Sequence, residues 1–155
     1  MTINNKIFKK KKVIILGIGG CGKTSLLNSI IGKKFEPKYN SNWKTEINET
    51  INFIFYDTAG QELIPKMIHK NYDFALIVFS NTNRLSYSLI YKYIKILKNT
   101  PYLIIGTCSD LVNQRKIFDK KAINISNKTG LNVHIVQNNL INYLNTGYYN
   151  KYDHK

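Results

Sequence analysis

Gly17-Ile18-Gly19-Gly20-Cys21-Gly22-Lys23-Thr24 opens with a glycine and closes on Gly-Lys-Thr. Val13, Ile14, Ile15 and Leu16 precede it, an apolar and largely β-branched run that predicts a short buried strand. Beyond it Leu27, Ile30 and Ile31 recur at helical spacing, so the segment from Ser25 onward reads as a helix. A glycine-rich turn between strand and helix is the setting of a phosphate-binding loop. Glycines let successive N–H groups point inward, and with the helix N-terminus these groups make an anion site. Lys23 then reaches the β- and γ-phosphates, and Thr24 offers its hydroxyl to Mg²⁺. A ligand-free turn is the weaker reading, because strand and helix both flank the glycines.

The length of 155 residues suits one domain, at which about two-thirds of the unfolded surface is buried. Hydrophobic residues make up 43%, enough for a globular core and too many for disorder. No apolar run approaches the roughly 18 residues that span a bilayer. Met1 to Ile7 is mostly polar and Lys9 to Lys12 lead directly into the strand, so no secretory signal is expected. Cys21 and Cys108 sit inside motifs rather than in a disulfide framework, which points to a reduced, cytoplasmic compartment. The net charge is +14, from 23 Lys+Arg against 9 Asp+Glu. Compositional bias toward Lys, Asn, Ile and Tyr explains this charge most simply. An anionic membrane surface is the next reading; nucleic acid is disfavoured, because the charge is nearly all Lys without aromatic-basic interleaving.

Along the chain, Gly32 is placed to cap the first helix. Lys33 to Lys44 is polar and irregular around Phe35, Pro37, Tyr39 and Trp43, and reads as a mobile switch loop or an ordinary surface loop. Thr45 to Tyr56 reads as a tight hairpin whose second arm alternates Ile51, Phe53 and Phe55 with Asn52, Ile54 and Tyr56. That arm ends in Asp57-Thr58-Ala59-Gly60-Gln61-Glu62. A carboxylate at a strand end beside a phosphate loop can hold Mg²⁺ through water. Gly60 can bring its N–H to a γ-phosphate without a side chain in the way, and Gln61 can orient an attacking water. Phe74 to Phe79 and Tyr102 to Gly106 read as buried parallel strands, and Lys121 to Ile125 as a last strand. Arg84 to Lys98 reads as one helix with Leu85, Leu89, Tyr93 and Leu97 on its buried face, and Leu131 to Leu144 as a closing helix. His69, His134 and His154 have no partners at metal-binding spacing.

The phosphate loop and Asp57-Thr58-Ala59-Gly60-Gln61-Glu62 together resemble those of a small GTPase of the Ras superfamily, with the Rab branch the nearest match. Asn71-Tyr72 falls where Rabs carry a tyrosine pair, and Ser80 to Tyr87 resembles the stretch leading into the family's third helix. The resemblance runs from about Lys11 to about Leu144. It implies an α/β three-layer fold, a mostly parallel six-stranded sheet with helices on both faces. The domain would span residues 11–146, between a basic lead-in at 1–10 and a polar tail at 147–155. Leu63 to Lys70 would be the second switch helix, bent by Pro65.

The cofactors implied are GTP or GDP with Mg²⁺. Gly17, Gly19, Gly20, Cys21, Gly22, Lys23, Thr24 and Ser25 would surround the phosphates, and Phe35 would stand edge-on to the base. Thr107-Cys108-Ser109-Asp110, with Leu111 beside it, occupies the place of the family's NKxD motif. Asp110 would accept from guanine N1 and N2, a donor pair that adenine lacks. Ser126-Asn127-Lys128 resembles the loop whose N–H groups meet guanine O6. The catalytic set would be Gln61, Lys23 and Gly60, and the metal would rest on Thr24 and, through water, Asp57. Gly19 matches the position where a side chain would crowd the glutamine. Cys21 would be filler among the amides; a thiol exposed there could be oxidised.

Three departures accompany the resemblance. Thr107 stands for the usual Asn. Cys108 stands for a Lys whose stem lies along the base and whose ammonium braces the phosphate loop, a loss expected to cost about 1–3 kcal/mol of nucleotide affinity. Asn42 falls where the family has a Mg²⁺-binding Thr, with Ser41 or Thr45 as substitutes. The stretches from Asn42 to Asp57 and from Asp110 to Ser126 are also short for the family.

The resemblance implies a monomeric GTP/GDP switch in vesicle trafficking, slow at hydrolysis. Its partners would be an activating protein, an exchange factor and effectors that read residues 34–45 and 58–72. The sequence ends without a prenylation cysteine, and Thr2 rules out a myristoylation glycine, so the expected location is cytoplasmic or peripheral on a cytosolic membrane face by charge. A binding module with little hydrolysis and a nucleic-acid-associated GTPase are the alternatives.

Overall fold

Val13, Ile14, Ile15 and Leu16 are all fully buried, which requires a strand covered on both faces. They lie in β1 (Lys11–Leu16), the third strand of a six-stranded sheet in a computed structural model that describes residues 9–37, 44–60 and 71–148. The others are β2 (Glu46–Glu49), β3 (Phe53–Asp57), β4 (Phe74–Ser80), β5 (Tyr102–Thr107) and β6 (Ile123–Asn124). The order is β2-β3-β1-β4-β5-β6. Only β2 runs antiparallel, to β3; the other neighbouring pairs are parallel.

Alternation along the strands divides the core. Val13, Ile15, Leu76 and Val78 pack with Leu26 and Leu27 of α1 (Lys23–Ile30) and with Val136 and Leu140 of α4 (Val133–Thr146). Ile14, Leu16, Ile77 and Phe79 face the other way, onto Ile90, Tyr93 and Leu97 of α3 (Ile90–Leu97). Three layers follow, as the sequence predicts. The chain winds to one side of β1 into β3 and to the other side into β4, so the strand order reverses at β1. A crevice at the carboxyl end of such a switch point is where an open α/β sheet binds its ligand, and the glycine-rich loop emerges there.

The expected hairpin forms, with Glu46 opposite Asp57 and Glu49 opposite Ile54. Gly32 takes φ +79° just beyond α1, consistent with its expected cap role. Two expectations need correction. The helix expected over 84–98 is two helices, α2 (Arg84–Ser88) and α3, which meet at Leu89. Asn83 caps α2 by accepting from the Leu85 and Ser86 N–H groups. Ser86 turns inward, donating to the Asn83 carbonyl at 2.6 Å and accepting from Ser80 N–H at 2.9 Å. These hydroxyl bonds compete with the helical ladder, and they turn Leu85 out to solvent rather than onto the sheet. The last strand is also shorter than expected, because only Ile123 and Asn124 pair with β5. The expected switch helix at Leu63 to Lys70 lies outside the described residues.

Candidate nucleotide site

Gly22 adopts φ +96° at the head of α1, and its carbonyl accepts the first helical bond from Leu26 N–H at 2.9 Å. Lys23 follows at once. Its side chain is buried, and its ammonium folds back to donate to the Ile18 carbonyl at 3.0 Å. The cation is thereby held inside the loop rather than waving in solvent. Gly60 comes down on the same loop with φ +75°. A Cβ there would lie 2.5 Å from Gly19 N and 2.7 Å from Lys23 Nζ, so only glycine permits this approach.

Thr24 and Asp57 meet from opposite sides, the Thr24 hydroxyl donating to Asp57 Oδ2 at 2.6 Å. Thr58 anchors the turn beyond by donating to the Ile15 carbonyl at 2.8 Å. Asp57 is buried, and its second oxygen, Oδ1, has no hydrogen-bond partner among the described residues. Burial pushes its carboxyl above the ordinary range, opposed by the Thr24 bond and the Lys23 charge. A buried carboxylate with a free oxygen beside a hydroxyl is a pair of hard oxygen donors. It fits a hard cation such as Mg²⁺, which favours one or two carboxylates and retains its own waters. The metal position assigned to Asn42, or to Ser41, lies outside the described residues, as does Gln61. Thr45 is described and partly buried.

The second half of the site follows β5 and β6. Cys108, Asp110 and Leu111 border the same cavity as Lys23 and Thr24, with Asn127, Lys128 and Phe35 around it; its volume is about 610 Å³. That size suits a small-molecule ligand. Ser109 N–H donates to the Ile125 carbonyl at 3.0 Å, which ties the two loops together. Ser126 is fully buried, its hydroxyl accepting from Thr129 N–H at 3.1 Å and its carbonyl from Gly130 N–H at 2.9 Å. Thr107 is also fully buried, and its hydroxyl contacts the Cys21 carbonyl at 2.7 Å and the Phe79 carbonyl at 3.1 Å. Cys108 takes φ +58°, an uncommon conformation for a side-chain-bearing residue.

Cys21 is buried filler rather than an exposed thiol. Its thiol is directed at the Val78 carbonyl at 3.3 Å, and burial pushes its pKa up to about 11. Such a thiol stays protonated near neutrality and is inert to oxidants that need thiolate. Sequence reasoning also missed Asn28, Glu36 and Glu46, which border the cavity. Glu46 was findable, since the hairpin register sets it opposite Asp57. Asn28 carried no signal beyond its place one turn along α1. Among the described residues no group of three or more His, Cys, Asp or Glu could hold a metal ion, and no helix is long and apolar enough to cross a membrane.

Residues 12–139 match the model of the Ras family. The chain is 28% identical to human Ras-related protein Rab-22A over 130 residues, covering 74% of this chain and 67% of that protein. It is 28% identical to Ras-related protein Rab-7a of Dictyostelium discoideum over 137 residues, covering 74% of this chain and 68% of that one. The Ypt/Rab-type GTPase ypt7 of Pyricularia oryzae is 27% identical over 130 residues, covering 71% of this chain and 63% of that one.

Proposed function

The chain belongs to the Ras family of small GTPases, and on that premise we propose that it binds GTP and GDP in the crevice above β1 and hydrolyses GTP slowly. The observation that carries this reading is one cavity lined both by Lys23 and Thr24 and by Asp110. A nucleotide suits this lining by chemistry. Phosphates take the cation and the inward amides, and the base takes the carboxylate.

Lys23 neutralises charge that develops on the β–γ bridge and γ-phosphate oxygens. Thr24 and water-linked Asp57 are the residues that would hold Mg²⁺, which when bound supplies charge neutralisation on the β- and γ-phosphates. Gly60 offers its N–H to the γ-phosphate. Gln61 orients the attacking water. Asp110 accepts from guanine N1 and N2, and the loop at Ser126, Asn127 and Lys128 presents N–H groups to O6. Residues 34–45 and 58–72 hold no arginine to act as a built-in finger. Turnover alone is therefore slow, and an activating protein that supplies one adds on the order of 10³–10⁵ in rate. The Rab-type relatives support a switch in membrane trafficking, read by effectors through those two segments. Binding with almost no hydrolysis is the second reading, favoured by Cys108 where the base-bracing lysine is expected.

Phosphate release from GTP under single-turnover conditions with Mg²⁺ separates the two. The switch reading expects slow release that Gln61→Leu lowers at least tenfold with GTP affinity retained. Release no faster than the enzyme-free control supports the binding-only reading.

A further inference from the structure

We propose that Asn127 positions the phosphate loop in this chain, tying it to the guanine-side loop in place of the lysine that Cys108 displaces. The inference rests on the GTPase reading above and assigns this residue a task within it. The Asn127 carboxamide reaches across from the loop after β6 to both ends of α1. Its Nδ2 donates to the Gly22 carbonyl at 3.4 Å, and its Oδ1 lies 3.4 Å from the Ser29 hydroxyl, whose single proton has the nearer Ser25 carbonyl at 2.9 Å as its acceptor. Thr107 grips the preceding carbonyl, that of Cys21, at 2.7 Å. Two consecutive carbonyls of the loop are thus held from the base side.

The approach is close. A Cβ on Gly22 would lie 3.2 Å from both Thr107 Cγ2 and Thr107 Oγ1, and 3.4 Å from Asn127 Nδ2. Peptide planarity makes the grip functional. The Cys21 carbonyl shares a rigid plane with Gly22 N–H, and the Gly22 carbonyl shares one with Lys23 N–H. In a trans peptide the two groups point in opposite directions. Holding the carbonyls toward the base loops therefore aims both N–H groups the other way, into the phosphate position. Cys108 offers no ammonium for this purpose, and Asn127 supplies an uncharged brace from the neighbouring loop.

The test is the dissociation rate of a fluorescent GDP analogue, chased with excess GDP, for the natural chain and for Asn127→Ala, Cys108→Lys and the double variant. Asn127→Ala is expected to speed release about tenfold, the scale of a lost hydrogen bond or two. In the Cys108→Lys background the same substitution is expected to change it by less than about threefold, because the lysine takes over the brace. An equal effect in both backgrounds, or no effect of Asn127→Ala in the natural chain, overturns the proposal. Failure of the natural chain to retain the GDP analogue against excess ADP would instead overturn the GTPase reading itself.

Discussion

The phosphate end and the base end of the site are built by different means. Around the glycine-rich loop the work falls to backbone and to residues with little freedom: Gly22 at φ +96°, Gly60 at φ +75°, and Lys23 folded onto the Ile18 carbonyl. Beyond β5 and β6 it falls to side chains, Thr107 on the Cys21 carbonyl and Asn127 on the Gly22 carbonyl. Backbone geometry tolerates few substitutions, because a Cβ on Gly60 would collide with Gly19 N at 2.5 Å. A side-chain brace can be rebuilt from another position, as Asn127 illustrates. One half of a site can therefore hold its pattern while the other is rewired around the same ligand.

The largest effect is expected at the glycine-rich loop. Lys23→Ala removes a buried cation that donates to the Ile18 carbonyl and that the proposed function pairs with phosphate oxygens. Truncating one side of such a charge pair costs about 2–5 kcal/mol, so nucleotide affinity is expected to fall by more than an order of magnitude in a fluorescence titration. A loss smaller than threefold would mean that the loop does not carry phosphate binding.

At the base end Thr107→Val keeps shape and removes the hydroxyl from the buried carbonyls of Cys21 and Phe79. Leaving buried acceptors unsatisfied costs about 1–3 kcal/mol. The expected outcome is a lower urea midpoint together with faster GDP release. Lower stability with unchanged release would confine Thr107 to folding.

The smallest effect concerns Cys21, behind the phosphate loop. Its pKa rises from an ordinary 9.0 to about 11 on burial, so folding favours the protonated thiol. The unfolded chain loses that proton first. The associated stability is complete below pH 9 and declines as pH rises from 9 toward 11. Tyr93, pushed up by burial to about 12, contributes in the same direction at higher pH. Urea midpoints between pH 8 and 10.5 should decline, and Cys21→Ala should make the decline shallower. An unaltered slope would show that the thiol is not held in its neutral form.

What the sequence disclosed follows the same division. The strand, glycine turn and helix at residues 13–31 were legible because hydrophobic period and glycine placement are local signals. So were the hairpin ending at Asp57 and the buried runs of β4 and β5. The break at Leu89 was not, since it arises where Ser86 and Asn83 take hydrogen bonds from the helix, and apolar spacing is blind to hydroxyls. The burial of Cys21 was hidden too, because it depends on β4 passing behind the loop and offering the Val78 carbonyl. Thr107 and Asn127 were legible as members of base motifs. Their grip on Cys21 and Gly22 was not, because it joins residues brought together only when β1, β5 and β6 lie in one sheet.

The most direct test of guanine recognition by this rewired base end is competition. A fluorescent GDP analogue is bound with Mg²⁺ and displaced by GTP, GDP or ATP, in the natural chain and in Asp110→Ala. The account predicts displacement by GTP and GDP, none by ATP at a hundredfold higher concentration, and loss of that selectivity in Asp110→Ala. Displacement by ATP as effective as that by GTP would contradict it, leaving a phosphate loop without a base-reading half.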